Sequence, residues 1–288
     1  MIAGVATRRL GQRPCQAAEP SEIALRLTGR DYISHSAIST FQRCPLRYYF
    51  NYVAGLAPEF VSSSLVFGSA VHRALEFHCR RVFEGTAPPS TDELLSVYEQ
   101  AWKDEGAVRV RFGKNESTES LRDLARRMLA AYLASDVSNF DSRLVAVEEE
   151  FRAAVIPGCP DLLGRVDLVD LNRNALRIVD FKTSRSKWNE AKVQESAPQM
   201  LLYAELLRPL AAGLGARDVR LEWIVVTKTK EPVVETHTLT PDPRQITRTK
   251  AVIQRAWAAI AGGHFYPSPS SMSCLGCSYW TACQRWEG

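Results

Sequence analysis

The chain has 288 residues, 45% of them hydrophobic and 24% charged, with a formal net charge of +4. That length carries one large domain or two small ones with a substantial core, and the composition is that of an ordinary globular protein. The mild positive charge admits a nucleic-acid partner without arguing for one, because the sign of a local groove matters more than the total. No stretch is long and apolar enough to span a bilayer. Arg8 and Arg9 are not followed by the apolar run of a secretory signal, so a cytoplasmic location is expected. Seven cysteines, an odd number, argue against a disulfide framework in such a chain.

Residues 1–29 mix Gly, Pro, Gln and Ala without periodicity and read as a flexible extension. From about Ser36, which can cap, to Val53 the pattern is helical, with Pro45 expected to bend or restart it. Further helices are expected over Phe67–Phe83, Thr91–Glu105 and Glu119–Asp136. The pattern then changes to short aliphatic and β-branched runs, Val145–Ile156, Leu162–Leu171 and Leu176–Lys182, separated by Pro157-Gly158 and Asn172-Arg173-Asn174. These read as three consecutive antiparallel strands. A helix over Pro198–Leu210, strands near Val219–Val226 and Pro232–Leu239, a helix near Arg244–Ala261 and a Ser- and Cys-rich tail from Gly262 complete the order. The expectation is an α/β or α+β domain with a mixed sheet, helical over 30–140, with its core over 141–261 and its tail over 262–288.

Two segments carry the chemistry: Gly164-Arg165-Val166-Asp167 and Ile178-Val179-Asp180-Phe181-Lys182. Residues two apart on a strand share a face, so Asp180 and Lys182 point one way and Phe181 the other. Counting back across the hairpin puts Asp167 opposite Val179 or Asp180, within about one residue of register. Two carboxylates there offer hard oxygen ligands to Mg²⁺ or Mn²⁺, and the Phe181 carbonyl is a further donor. A lysine beside them can position a water or neutralise charge on a phosphate, as phosphodiester hydrolysis requires. His72, on a helix with Gly68 one turn earlier, would complete the set, and an imidazole favours Mn²⁺ over Mg²⁺. Gln199 and Tyr203, four apart, share a helix face and could hold a phosphate or orient the lysine. Each of these residues taken alone has an ordinary packing or surface reading; their order along the chain singles them out.

In that order, His72, Gly164 to Asp167, Asp180-Phe181-Lys182 and Gln199-x-x-x-Tyr203 resemble the successive motifs of RecB-type nucleases of the PD-(D/E)XK superfamily. The segment from Ser36 to Tyr48 resembles that family's opening helix, and the resemblance runs from about Ser34 to Cys283. It implies a restriction-endonuclease-like α/β core, a central mixed sheet flanked by helices, in one domain over 30–288. It also implies His72, Asp167 and Asp180 as metal ligands, Lys182 as catalytic, and Gln199 and Tyr203 in support. Asp180 stands where many relatives have Glu. One of Glu148, Glu149 and Glu150 could support the site from the first strand, and periodicity does not say which.

Cys274-x-x-Cys277 and Cys283 form a tight group near the end of the sequence, and Cys44 lies far away on the first helix. If the two regions meet, four thiolates suit a four-iron four-sulfur cluster or a structural zinc. Zinc sites usually come as paired Cys-x-x-Cys units, and Cys44 has no such partner. The layout resembles the iron–sulfur subgroup of RecB-like nucleases, which includes the CRISPR-associated exonucleases and the AddB-type repair nucleases. It implies a 4Fe-4S cluster that staples the tail to the first helix. Cys79 reads as a small buried hydrophobe, and Cys15 and Cys159 as spare.

Arg43, Arg47, Tyr48, Tyr49 and Tyr52 crowd the first helix, and aromatics and arginines of this kind suit a single strand. Arg185, Lys187 and Trp188 follow the catalytic strand, and Lys228 and Lys230 a later one; a solvated loop is their ordinary reading. No Gly-x-x-x-x-Gly-Lys-Ser/Thr loop is present, so an ATP-driven motor would have to be a separate helicase. The leading expectation is a metal-dependent exonuclease acting on single-stranded DNA ends, in repair, recombination or CRISPR adaptation. The alternatives are an iron–sulfur DNA-binding subunit that serves a partner enzyme, and a nuclease acting on RNA.

Overall fold

The computed structural model describes residues 18–105 and 109–288. Cys15 and the first part of the expected extension lie outside the described residues. Pro20–Thr28 is a helix, α1, so the expectation of a flexible segment fails for these nine residues. Ala24 is buried, with Ile23 and Leu27 packed on the same core. Pro20 in the first turn and Gly29 in the left-handed conformation after the last residue are the start and stop signals of a short helix.

β1 (Tyr32–Ile33) leads into α2 (His35–Arg43). Its cap is Ser34, whose hydroxyl accepts the Ala37 amide, rather than Ser36. Pro45 restarts the helix as α3 (Pro45–Tyr48), which continues into a π-helical turn over Tyr49–Val53. Then come β2 (Val61–Ser62), α4 (Ser63–Phe83), α5 (Thr91–Glu105), β3 (Val110–Arg111) and α6 (Thr118–Leu133). The three expected antiparallel strands form as β4 (Arg143–Ala153), β5 (Asp161–Asn172) and β6 (Ala175–Ser184). The next helix, α7 (Glu190–Leu206), begins eight residues before the expected Pro198. Asn189 caps it, and Pro198 sits in its interior at the cost of one backbone hydrogen bond. The chain closes with α8 (Arg208–Gly213), β7 (Asp218–Thr227), β8 (Val234–Leu239), α9 (Pro243–Ala261), α10 (Ser271–Cys274) and α11 (Trp280–Gln284).

The main sheet is mixed: β6 and β7 run parallel, while β4–β5, β5–β6 and β7–β8 are antiparallel. One face packs on α2, α7 and α9 through Val166, Ile178, Leu221 and Trp223, together with Met200, Leu202 and Trp257. The other packs on α4, α5 and α6 through Leu168, Val179, Phe181 and Ile224, together with Phe67, Tyr98 and Met128. This is the expected central mixed sheet flanked by helices. Among the described residues, no helix is long and apolar enough to cross a membrane.

Two irregularities shape the centre of the sheet. The β5–β6 ladder pairs Asn172 with Ala175 back to Leu168 with Val179, and stops there, although β6 stays paired to β7 as far as Ser184. Leu162, further along β5, has Ala153 on one edge and Ile33 of β1 on the other. The sheet therefore forks where β6 leaves β5, and β1 takes over the vacated edge. At the same level the alternation of faces slips: Val166 and Leu168 pack into different cores, and so do Val147 and Phe151 on β4. Glu148, between the ladder pairs Val147–Leu168 and Glu149–Val166, has a φ of +49°, a strained value for a residue with a side chain.

Gly164 shows why its motif needs a glycine. A Cβ there would lie 2.6 Å from Tyr203 Cε1 and 2.8 Å from Leu206 Cδ1, both on the buried side of α7. Gly164→Ala should therefore push α7 off the sheet and lower stability by about 1–3 kcal/mol, read as a lower denaturant midpoint. An unchanged midpoint would show that α7 does not seat on β5 in this way.

Candidate active site

The fork determines the site. Where the ladder stops, the Phe181 amide donates to Asp167 Oδ2 at 2.7 Å, so a side chain replaces the missing strand partner. The Phe181 carbonyl meets His72 Nε2 of α4 at 2.5 Å, and His72 Nε2 lies 3.6 Å from Asp167 Oδ2. Glu148 approaches from the strained position on β4: its Oε1 is 3.9 Å from His72 Nδ1 and its Oε2 accepts from Arg165 Nε at 2.9 Å. His72, Glu148 and Asp167 each present a donor atom within 4.8 Å of the others, a set that could hold one metal ion. Gly68, one turn before His72, is where a Cβ would come 3.6 Å from Thr183 Oγ1, so α4 rides close over the end of β6.

Asp180 is buried beside this group and turned toward Lys182, whose Nζ lies 2.7 Å from one carboxylate oxygen and 2.6 Å from the other. Burial opposes the charge of Lys182, but the Asp180 and Asp167 carboxylates outweigh it and hold the ammonium protonated. Burial likewise works against charge on His72, yet Asp167, Glu148 and the Phe181 carbonyl together raise its pKa. Asp167 is raised by burial, against the pull of His72, and raised further by Asp180. Without a cation, the His72–Asp167 pair thus retains a proton; a metal ion would displace it.

Gln199 Nε2 donates to the Tyr203 hydroxyl at 2.9 Å, so these two do share the face of α7 that covers Gly164. Burial holds the Tyr203 phenol protonated, and its pKa also responds to Asp180 and Asp167. Two residues stand nearer the fork than the sequence indicated. Glu148 is the member of the Glu148–Glu150 run that reaches His72. No strand periodicity could have chosen it, because the alternation slips there. His35, the first residue of α2, follows directly from β1 at the edge of the fork. Burial and the Lys182 ammonium, against the pull of Asp180, lower its pKa to about 4, so the ring is neutral. A lone histidine after a serine cap carried no signal in the sequence.

The aromatic residues of the opening helix are mostly used in packing. Tyr48 is buried between Phe41, Tyr52 and Phe265, Tyr49 lies against Phe50 and Phe265, and Arg30 sits 5.7 Å from the ring centre of Tyr52. Arg43 and Arg47 remain beside the cysteine cavity. Trp188 stacks on His237 and leans on Trp223, while its amide donates to Glu235 at 3.1 Å, which anchors the exposed Arg185 and Lys187.

The tail returns to the opening helix. The Leu46 amide donates to the Tyr266 carbonyl at 2.9 Å, the Glu59 amide to Ser278 at 3.0 Å, and the Tyr279 hydroxyl to Asn51 at 3.0 Å. Leu46, Phe50 and Tyr279 form a small core against which Cys44, Cys277 and Cys283 pack. Cys44, Cys274, Cys277 and Cys283 are all free thiols lining one cavity of about 790 Å³. Burial and then the charges of the other three raise the Cys283 thiol. Cys79 and Cys159 are buried elsewhere, each raised by burial.

A sequence profile described as PD-(D/E)XK nuclease superfamily matches residues 32–284. Among solved structures, one named "Putative exonuclease", from Eubacterium rectale, superposes over 95% of this chain and 93% of its own, with a TM-score of 0.56 and 15% identity. The crystal structure of SSO0001 matches 86% of this chain and 94% of its own at 14% identity, with a TM-score of 0.35 that carries no weight for the fold. No curated protein matches the sequence. With the mixed sheet, its fork and the profile match over nearly the whole described chain, this chain belongs to the PD-(D/E)XK nuclease superfamily.

Proposed function

We propose that this protein is a metal-dependent deoxyribonuclease of the RecB-like kind, an exonuclease acting on single-stranded DNA ends, with an iron–sulfur cluster stapling its tail. The observation that carries the nuclease reading is the convergence of His72, Glu148 and Asp167 at the fork, with Lys182 held at Asp180 beside them. His72, Asp167, Asp180 and the Phe181 carbonyl would hold Mn²⁺ or Mg²⁺, joined by Glu148, which lies with His72 and Asp167. Such an ion supplies polarisation of a phosphoryl oxygen and a lowered pKa for water. Lys182, kept protonated by two carboxylates, neutralises charge that builds on the phosphate. Tyr203 and Gln199 offer an O–H and N–H to a phosphate oxygen or to the lysine's surroundings. His35, neutral beside Lys182, adds a proton acceptor at the same mouth. The exonuclease reading also accords with the name of the Eubacterium rectale structure. The cellular setting proposed is DNA repair, recombination or CRISPR adaptation, with a separate helicase opening the duplex.

Cys44, Cys274, Cys277 and Cys283 would hold the cluster. Cys44 has no Cys-x-x-Cys partner of the kind in which zinc ligands usually come, which supports the cluster reading over zinc. The cluster would fix the tail against α3 by covalent ligation.

The deciding experiment is cleavage of end-labelled single- and double-stranded DNA by anaerobically purified protein, its visible spectrum recorded first, with and without Mn²⁺. Brown protein that shortens single strands from their ends only with metal is expected; colourless protein inert under every metal would sink the exonuclease claim and leave a binding subunit. Asp180→Asn should lower kcat by about two orders of magnitude or more while leaving the visible absorbance unchanged. Cys277→Ala should instead bleach that absorbance and cut the yield of soluble protein. Because His72 and Asp167 both bind protons more tightly than usual, Mn²⁺ must displace a proton. Its affinity should therefore fall as the pH is lowered through the neutral range, with proton release visible by calorimetry in buffers of different ionisation enthalpy. PH-independent affinity would argue against these ligands.

A further inference from the structure

A line of cations and aromatic rings leaves the fork along α4. His72, Gly68 and Ser64 fall at four-residue intervals and so share one face of that helix. At a rise of 1.5 Å per residue, Ser64 lies about 12 Å from His72. Gly68 marks where this face crosses the end of the catalytic strand, against Thr183. At Ser64, Lys228 Nζ comes within 3.3 Å of the hydroxyl and 4.7 Å of the Phe67 ring centre. Arg185, the first residue after β6, faces the same place. Burial and then the Arg185 charge lower the Lys228 pKa to about 8. Glu116, whose charge also reaches this pair, is already engaged by the Ser63 hydroxyl at 2.6 Å and the Gly113 amide at 2.9 Å. Two cations crowded in this way are relieved by an anion.

The line continues outward. Ser62, two residues before Ser64, pairs across the small β2–β3 sheet with Arg111. The Arg111 guanidinium lies 4.8 Å over the Phe60 ring and donates to the Leu275 carbonyl at 3.5 Å. Phe60, Arg111 and Trp280 line one cavity of about 550 Å³, and Trp280 is 50% exposed. Glu59, on the same wall, has its Oε1 taken by the Thr281 amide. Arg109 is exposed beside them.

We propose that this line, from Arg185 and Lys228 through Arg111 and Phe60 to Trp280, is the track along which a single-stranded nucleic acid lies as its end enters the fork. The proposal rests on the nuclease reading for the identity of the ligand. Cations spaced along the line, with the half-buried Phe60 and the exposed Trp280 at its outer end, match a phosphate backbone and unpaired bases, since every base offers a face to stack on. A duplex keeps its bases internally stacked and would leave Phe60 and Trp280 unused. A strand with one anion per nucleotide suits the Arg185–Lys228 pair, whose crowding Glu116 offsets only in part, better than a peptide of ordinary composition does. The track starts at the catalytic strand itself, so its occupant is the strand being cut.

The test is equilibrium binding of a labelled oligothymidylate to the full chain in EDTA, where nothing turns over, as a function of salt. Arg111→Ala and Lys228→Ala should each reduce the slope of log affinity against log salt by about 0.7. Trp280→Ala should weaken binding about tenfold with the slope unchanged, and Trp280→Phe should restore most of it. A fold defect alone would not separate slope from affinity in this way. If the wild-type protein binds and the variants behave as stated but no metal supports cleavage, the track stands and the nuclease reading fails. If the wild-type protein cleaves single strands while all three alanine variants keep its affinity, salt slope and KM, the track is overturned, and the exposed Trp280 and Leu275 belong to a protein contact instead.

Discussion

The Phe181 amide finds its hydrogen-bond partner in the Asp167 carboxylate, at the point where β5 and β6 cease to pair. A buried amide must be satisfied, and here a side chain does what the neighbouring strand does elsewhere in the sheet. The exchange opens the sheet without unravelling it, because β6 remains held along its other edge by β7. It also turns the Phe181 carbonyl to His72 and brings Asp167 within 3.6 Å of the same ring. The strained Glu148 and the slip in alternation on β4 and β5 belong to the same opening. The β5–β6 ladder stays in regular register toward the hairpin from Leu168 to Ala175, while β4 carries a further register shift at Val145, opposite Val169 and Asp170.

The charges in the opening are arranged to be tolerable before any cation arrives. Burying carboxylates is costly unless each has a partner. Asp180 has Lys182, Glu148 has Arg165, and Asp167 has His72 together with the Phe181 amide. A second buried network, in which Arg177 joins Asp170 and Glu222, lies toward the hairpin end and holds three strands together. In both networks the cation is partly reachable from outside while most of its carboxylate partners are buried.

The tail extends the same logic to the whole chain. Three thiols near its end come back to Cys44 because Leu46, Glu59 and Asn51 all hydrogen-bond to residues of the tail. The small core around Phe50 and Tyr279 seats Cys44, Cys277 and Cys283 where the two segments meet. The same segment carries Trp280 to the wall opposite Phe60, so fastening the tail also completes the surface beside the small β2–β3 sheet.

The sequence by itself determined the antiparallel run of three strands and the side-by-side placement of Asp180 and Lys182, because a period of two and a short turn leave little choice. The motif order His72, Asp167, Asp180-x-Lys182, Gln199-x-x-x-Tyr203 was legible as an order along the chain, although Asp167 itself sits where the alternation on β5 slips. Only the tertiary structure could choose Glu148 from its run of three, since the backbone there breaks the alternation on which any such choice would rest. It alone brought in His35, which reaches the fork because β1 fills the edge that β6 vacates. It also buried Tyr48, which in sequence looked like a surface for DNA, and folded residues 20–28 into a helix whose few apolar side chains find a core to cover. These outcomes depend on which surfaces meet, and a one-dimensional pattern specifies the surfaces without specifying their partners.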